Sequence, residues 1–119
     1  MCSGRYAFPQ SERLTRRRDY QRIYREGSKR VGRAFICYTV RHENQGRKFG
    51  CAVSRRVGGA VTRNRVKRYL REIYRTHRPE LPSNLHIVVV ARPTAAGMTY
   101  DQCRDAVRAL LKGAGVLHE

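Results

Sequence analysis

The stretch VTRNRVKRYLREIYRTHRP, residues 61–79, decides the fold. At about 100° per residue, its apolar side chains cluster on one side of a helical wheel. These side chains are Val66, Tyr69, Leu70 and Ile73. The pattern predicts an amphipathic helix that packs this side on a core and ends before Pro79, because proline disfavours helical backbone at the residue before it.

The opposite side of the predicted helix is cationic. It carries Asn64, Lys67, Arg68, Arg71 and Arg75, with Arg63 and Arg65 on the flanks. Lys67, Arg71 and Arg75 repeat at i,i+4, a spacing at which like charges destabilise an isolated helix. A solvated helix that carries charge for solubility is the simpler alternative, but such a helix normally mixes signs. The pattern therefore favours a surface that binds nucleic-acid phosphates.

The whole chain shares this bias. It has 119 residues, with 26 Lys and Arg against 9 Asp and Glu, and a formal net charge of +17. Most of the cations are Arg, whose planar guanidinium binds a phosphate with two hydrogen bonds or stacks on a base. The composition favours a nucleic acid over an anionic membrane as the partner.

Length and hydropathy limit the organisation of the chain. The 119 residues, of which 40% are hydrophobic, predict one domain over residues 1–119, with an extended lead-in over 1–14 and a short tail over 113–119. No apolar run approaches the roughly 20 residues that span a bilayer, and the first 18 residues lack the apolar core of a signal peptide. We therefore expect no membrane partner and a cytoplasmic location.

Other segments predict a mixed fold. Tyr20, Ile23 and Tyr24 have helical spacing, with Thr15 as the expected N-cap and Gly27 as the expected stop. The segments RAFICYTVRH (33–42) and RKFGCAVSRR (47–56) predict two strands, and HENQG between them favours a β-hairpin. The apolar run in LHIVVVAR (85–92) predicts a central strand buried on both faces.

The last helix has a clear start signal. Thr99 and Gln102 have the spacing of a capping box, and the apolar face that follows is expected to end near Gly113. The predicted fold class is therefore α/β (α+β), a mixed sheet packed with helices in the order α-β-β-α-β-α. The loop before the basic helix combines Arg55 and Arg56 with two glycines, and its backbone N–H groups could hold a phosphate.

Candidate catalytic groups are few, and we assign no catalytic residue and no metal ligand. Asp101 and Asp105 lie in the first turns of the last predicted helix, where the helix dipole explains them. The four His residues are scattered, and no CxxC pair favours zinc. We expect Cys37, Cys51 and Cys103 to be reduced core residues. Distant residues could still converge in the fold, so a metal-dependent nuclease stays an alternative.

The segment FGCAVSRRVGGAVTRNRVKRYLREIYR, residues 49–75, resembles the signature of the bacterial ribonuclease P protein subunit family. It has the family's strand, basic pair, glycine-containing loop and Arg-Asn-Arg helix. The resemblance extends through AFPQSERLTRRRDYQRIYREG (7–27) and FICYTV (35–40), and through LPSNLHIVVVARP (81–93) and MTYDQCRDAVRALL (98–111).

The resemblance implies a two-layer sandwich with a left-handed βαβ crossover, an exception to the usual right-handed rule. It also implies a non-catalytic subunit in a 1:1 complex with a catalytic RNA. In that family the RNA hydrolyses precursor tRNA with Mg²⁺ that it mainly holds itself, and the protein helps to bind the 5′ leader. Another basic RNA-binding protein, such as a ribosomal protein, is the remaining alternative.

Site residues follow from the resemblance. The implied contacts with the catalytic RNA are Arg55, Arg56, Arg63, Asn64, Arg65, Lys67, Arg68 and Arg71. The implied cleft for the single-stranded leader is lined by Tyr20, Tyr24, Ile36, Tyr38 and Arg92. Positions 20 and 24 are often Phe in the family, but tyrosine stacks on a base equally well. Considered without the resemblance, core packing is favoured for Tyr20 and Tyr24 over a cleft, because they share a helix face with Ile23.

Overall fold

The computed structural model describes residues 10–42 and 45–117. The helices and strands in this part of the chain are α1 (Arg17–Glu26), β1 (Ser28–Val31), β2 (Phe35–Arg41), β3 (Lys48–Ala52), α2 (Ala60–His77), β4 (Leu85–Ala91) and α3 (Tyr100–Gly113). Short 3-10 turns lie at Gln10–Glu12, Arg78–Glu80 and Pro93–Gly97. Most of the predicted lead-in, as well as Cys2, lies outside the described residues.

The four strands form one mixed sheet in the order β1-β2-β4-β3. β2 is antiparallel to both β1 and β4, whereas β3 is parallel to β4. β4 therefore lies between two partners, and six of its seven residues are buried, as its apolar run predicts. Helix α2 connects the parallel neighbours β3 and β4, which makes these elements a βαβ unit.

Two sequence predictions are wrong. The segments around β2 and β3 do not form a hairpin, because β4 inserts between them and takes the hydrogen bonds of both. Strand β1 was not predicted at all. All four of its residues are exposed, so it has no apolar alternation to mark it. The element order is thus α-β-β-β-α-β-α rather than α-β-β-α-β-α.

Helices cover both faces of the sheet. α2 and α3 pack on one face, where Leu70 and Val107 meet Cys37 and Val89 in the main core. α1 lies on the other face, where Ile23 packs with Val88 and Leu14. The predicted sandwich of a mixed sheet against helices is confirmed, and α1 places its tyrosines on the sheet face opposite the main core.

The predicted helix ends are confirmed except for one. Thr99 Oγ1 accepts the Gln102 N–H at 3.2 Å, and Gln102 Oε1 accepts the Thr99 N–H at 3.0 Å, which completes the capping box of α3. α2 ends at His77, before Pro79. The N–H of Gly27 caps α1 by donating to the Ile23 carbonyl at 2.8 Å. The exception is Thr15, since the N-cap of α1 is Arg16 and makes no side-chain capping bond.

The three described cysteines are free thiols. Cys37 and Cys103 are buried and Cys51 is half-buried, as expected of core residues. Burial raises the pKa of the Cys37 thiol to about 12, so this group stays protonated. No described helix combines the length and the apolar character required to cross a membrane.

Candidate nucleic-acid interface

Packing of α2 decides which of its side chains meet solvent. Val66, Leu70 and Ile73 are at most 2% exposed and fix the rotation of the helix on the sheet. The opposite side forms a surface that we call the basic face. The basic face consists of Asn64, Lys67, Arg68 and Arg71. Asn64, Arg68 and Arg71 are exposed and Lys67 is half-buried, as the helical wheel predicts. Arg75, the fifth residue predicted on this side, is half-buried and is paired with Glu72.

The two arginines of the Arg-Asn-Arg motif lie on the flanks of the basic face and also bind backbone. Arg63 Nε donates to the Gly58 carbonyl at 3.2 Å, and an Arg65 guanidinium nitrogen donates to the Ala96 carbonyl at 2.5 Å. The first bond holds the loop before α2, and the second holds the turn before α3. Both arginines therefore position the segments around the helix, a contribution that sequence reasoning missed.

The N-terminus of α2 has no side-chain cap. Its N-cap, Gly59, has no capping side chain, and its first turn contains no acid. The preceding residue, Gly58, has φ +157°, a value that side chains rarely allow. Arg55 and Arg56 are exposed in the same loop. Two exposed arginines thus lie in the loop that leads to the positive end of the helix dipole, where backbone N–H groups are free of a side-chain cap.

The acids near α2 are bound to arginines that lie outside the basic face. Arg75 Nε donates to Glu72 at 3.0 Å, and Arg78 Nε donates to Glu12 at 2.8 Å. Among the ion pairs of the described residues, none involves Lys67, Arg68 or Arg71. The positive potential of the basic face is therefore not neutralised by the acids of α2 and the N-terminal segment.

Three aromatic rings line a cleft between α1 and the sheet. The ring centroids of Tyr24 and Tyr38 are 4.8 Å apart in an edge-to-face arrangement, and those of Tyr20 and Tyr24 are 6.5 Å apart. Tyr24 is 37% exposed, whereas Ile23 beside it is fully buried. Ile23 thus takes the core position of α1, and the tyrosines form the wall of what we call the tyrosine cleft.

The two other residues expected in the cleft are Ile36 and Arg92. Ile36 pairs with Val90 in register and is half-buried two positions from Tyr38, so both point to the α1 face of β2. Arg92 follows β4 and is exposed. One Arg92 guanidinium nitrogen donates to the Gly32 carbonyl at 2.9 Å, which ties it to the β1–β2 connection.

A cavity of about 360 Å³ joins the tyrosine cleft to the basic face. Tyr20 and Cys51 form one side of it, and Lys67 and Arg71 of α2 form the other. Gly50 permits this arrangement, because a Cβ at that position would lie 2.5 Å from the Tyr20 hydroxyl oxygen. Sequence reasoning missed Gly50, although a glycine inside a strand is a known signal of close approach.

The phenol groups of Tyr20 and Tyr24 stay neutral. Burial, followed by neighbouring groups, raises the pKa of Tyr20 and of Tyr24 above the usual value. The Tyr20 hydroxyl donates to the Leu14 carbonyl at 3.2 Å, which fixes its ring against the N-terminal segment. Neutral aromatic rings beside cationic side chains can stack on bases while the cations bind the phosphate backbone.

Comparisons with known proteins agree with this geometry. The family model Ribonuclease P matches residues 8–115. A ribonuclease P protein component from Desulforapulum autotrophicum is 38% identical over 109 residues, which cover 92% of this chain and 93% of that protein. One from Dictyoglomus thermophilum is 34% identical over 119 residues, with 98% of each chain covered.

Solved structures give the same result. The RNase P protein of Staphylococcus aureus superposes with a TM-score of 0.84 and 33% identity over 92% of this chain and 100% of that one. The RNase P protein of Thermotoga maritima gives 0.76 and 30% identity over 86% and 96% of the two chains. With its mixed sheet, open basic helix and matching sequence, the chain belongs to the ribonuclease P protein component family.

Proposed function

We propose that this chain is the non-catalytic subunit of a ribonuclease P holoenzyme, in which an RNA subunit cleaves precursor tRNA at the mature 5′ end. The protein binds the catalytic RNA through the basic face and the loop before α2, and it binds the 5′ leader in the tyrosine cleft. The proposal rests on one observation. Glu72 and Glu12 are bound by Arg75 and Arg78, which lie outside the basic face, so these acids do not neutralise the basic face.

The catalytic RNA is the proposed ligand of α2. A folded RNA offers phosphates at the spacing of successive helical turns, and Lys67 and Arg71 are one turn apart. Their mutual repulsion destabilises the free helix and is removed when phosphates bind. Arg55 and Arg56 extend this contact to the helix N-terminus, where backbone N–H groups donate hydrogen bonds to an anion.

The leader is the proposed ligand of the tyrosine cleft. Every base has a π-face, so stacking on Tyr24 and Tyr38 is tolerant of sequence and contributes about 1–3 kcal/mol per base. Arg92, which follows β4 and is exposed, is the proposed contact with the leader backbone. Such a site allows one protein to serve precursors with different leaders.

The proposal assigns hydrolysis and Mg²⁺ to the RNA. No three His, Cys, Asp or Glu residues in the described ranges lie close enough together to hold a metal ion. The Glu72 and Glu12 carboxylates are also engaged by Arg75 and Arg78. The chain's own contribution is therefore to hold leader and catalytic RNA together, in a complex with one protein for each RNA.

Reconstitution tests the proposal. Purified protein is mixed with precursor tRNA, with and without the catalytic RNA, over a range of Mg²⁺ concentrations. We expect no cleavage by the protein alone. With the RNA present, we expect the protein to lower the concentrations of Mg²⁺ and precursor needed for half-maximal rate. Cleavage of precursor by RNA-free protein would instead support a protein nuclease.

A further inference from the structure

Two tyrosines outside the tyrosine cleft form a second aromatic pair. Tyr69 of α2 and Tyr100 at the start of α3 have ring centroids 5.6 Å apart, inclined by 75°. Both residues are half-buried and pack partly against the main core. The core holds one side of each ring in place and leaves the remaining surface open, so the pair is a preformed and rigid surface.

The pair lines an open hollow of about 340 Å³, together with Arg68 and Glu72. The guanidinium carbon of Arg68 lies 5.8 Å from the centroid of the Tyr69 ring, within the range of a cation–π interaction. Arg68 also belongs to the basic face, so the hollow and the basic face are continuous. A flat aromatic ligand with an attached phosphate would meet a ring and a cation at once.

The single acid in the hollow does not repel an anionic ligand strongly. Hydrogen bonds from Arg75 neutralise Glu72, and they hold the pKa of its carboxyl below the usual value despite some desolvation. The backbone around the hollow is also fixed, because Arg65 of α2 donates to the Ala96 carbonyl just before α3. This bond holds together the two segments that carry the tyrosines.

We propose that an unpaired base of the catalytic RNA stacks in this hollow on Tyr69 and Tyr100, while Arg68 binds the phosphate beside it. The inference rests on the proposed function and adds a stacking site to the contacts of α2. Position favours the catalytic RNA over the leader as the source of the base, since Tyr69 and Tyr100 pack against the main core and the tyrosine cleft lies on the other face of the sheet.

Affinity measurements test the site. The Tyr100→Leu variant keeps an apolar side chain for the core but removes the aromatic ring, and Tyr100→Phe keeps the ring. We expect Tyr100→Leu to weaken binding to the catalytic RNA on the order of 5- to 100-fold, and Tyr100→Phe to bind within about twofold of wild type. Wild-type affinity in Tyr100→Leu would overturn the stacking site but leave the proposed function standing. Failure of the wild-type protein to bind the RNA would overturn both.

Fluorescence gives a second readout that does not depend on stability. The chain contains no tryptophan, so a Tyr100→Trp variant has a single indole in the hollow. The control is Ala109→Trp, since Ala109 is exposed about 180° around α3 from Tyr100. We expect catalytic RNA to quench the Tyr100→Trp variant much more strongly than the control. Equal quenching of both variants, or stronger quenching by precursor tRNA than by catalytic RNA, contradicts the inference.

Discussion

Neighbouring residues of α1 have different environments. Ile23 is fully buried and holds the helix on the sheet, whereas Tyr24 is 37% exposed at the rim of the cleft. Helical spacing alone gives both residues the same apolar face, so the local pattern favours core packing for the tyrosines and only the family resemblance favours base stacking. Only the rotation of α1 on β2 and β4 separates the two roles.

Replacement of Tyr24 by Ala should therefore affect substrate more than fold. We expect the variant to weaken binding of leader-bearing precursor tRNA by the reconstituted complex on the order of 10-fold, because one stacking surface is lost. Binding of mature tRNA, which lacks the leader, should change little. Ile23→Ala is the contrasting control, since removal of a buried side chain should lower the unfolding free energy by about 2–5 kcal/mol. Equal losses for the two tRNAs would place Tyr24 in a structural role.

His86 is a buried histidine that sequence reasoning did not single out. Its ring stacks on His42 with centroids 4.6 Å apart. Nε2 lies 3.1 Å from the Gly46 carbonyl and Nδ1 lies 3.3 Å from an Arg22 guanidinium nitrogen. Because a guanidinium can only donate, Nδ1 accepts and the ring is neutral. Burial, together with the charges of His42, Arg22 and Lys48, lowers the pKa of His86 to about 4.

This environment predicts a pH dependence of stability. Between pH 6.5 and 4 the unfolded chain binds a proton at this site and the folded chain does not, so acidification favours unfolding. We expect His86 to contribute a loss of about 2 kcal/mol between pH 7 and pH 5, measured by urea denaturation. The His86→Gln variant should show a smaller loss over the same interval. An unchanged pH dependence in the variant would argue that other groups titrate there.

At the scale of elements, a buried carboxylate joins the N-terminal segment to the end of α2. Glu12 is 8% exposed, and its Oε1 accepts from the Tyr74 hydroxyl at 2.5 Å and from Arg78 Nε at 2.8 Å. Burial alone would raise the pKa of Glu12, but the hydrogen bonds from Arg78 and Tyr74 outweigh it and lower that pKa. The Leu14 N–H donates to the Phe49 carbonyl at 2.9 Å, so the segment covers the outer edge of β3.

Neutralising this carboxylate should loosen the segment. We expect Glu12→Gln to lower the unfolding free energy by about 3 kcal/mol, because Arg78 loses a buried anionic partner. The matched control is Glu72→Gln, whose pair with Arg75 lies on an exposed helix surface and should contribute at most about 0.5 kcal/mol. Chemical denaturation of the two variants measures the difference. Similar small losses for both would show that the N-terminal segment is not held by Glu12.

The elements differ in how far the sequence predicts them. The three helices and β4 have strong periodicity, caps or apolar runs, and their positions are confirmed. β1 has none of these signals, since it is a short exposed edge strand. The turn residues between β2 and β3 favour a hairpin, so the local sequence does not predict that β4 lies between these two strands. For the contact of Tyr20 with Gly50, the glycine inside a strand signals a close approach, but no local pattern identifies the distant residue that approaches.

At the scale of the whole molecule, the net charge of +17 predicts RNA binding that weakens steeply with salt. We expect Lys67→Ala to flatten the plot of log affinity for the catalytic RNA against log salt concentration by about one unit of slope. The control is Arg104→Ala, because Arg104 is paired with Asp101 and Asp105 on α3. An unchanged slope for Lys67→Ala would show that this side chain contacts no phosphate.

The described part of the sheet has two different edges. The N-terminal segment covers β3, but β1 forms the opposite edge, with Lys29 and Arg30 exposed on it. Charged side chains on an edge strand keep a second polypeptide from adding to it. If both side chains were made neutral and apolar, the protein would lose this protection against fibril formation. Not every cation of this chain therefore needs a phosphate partner, because those on the edge strand act against self-association.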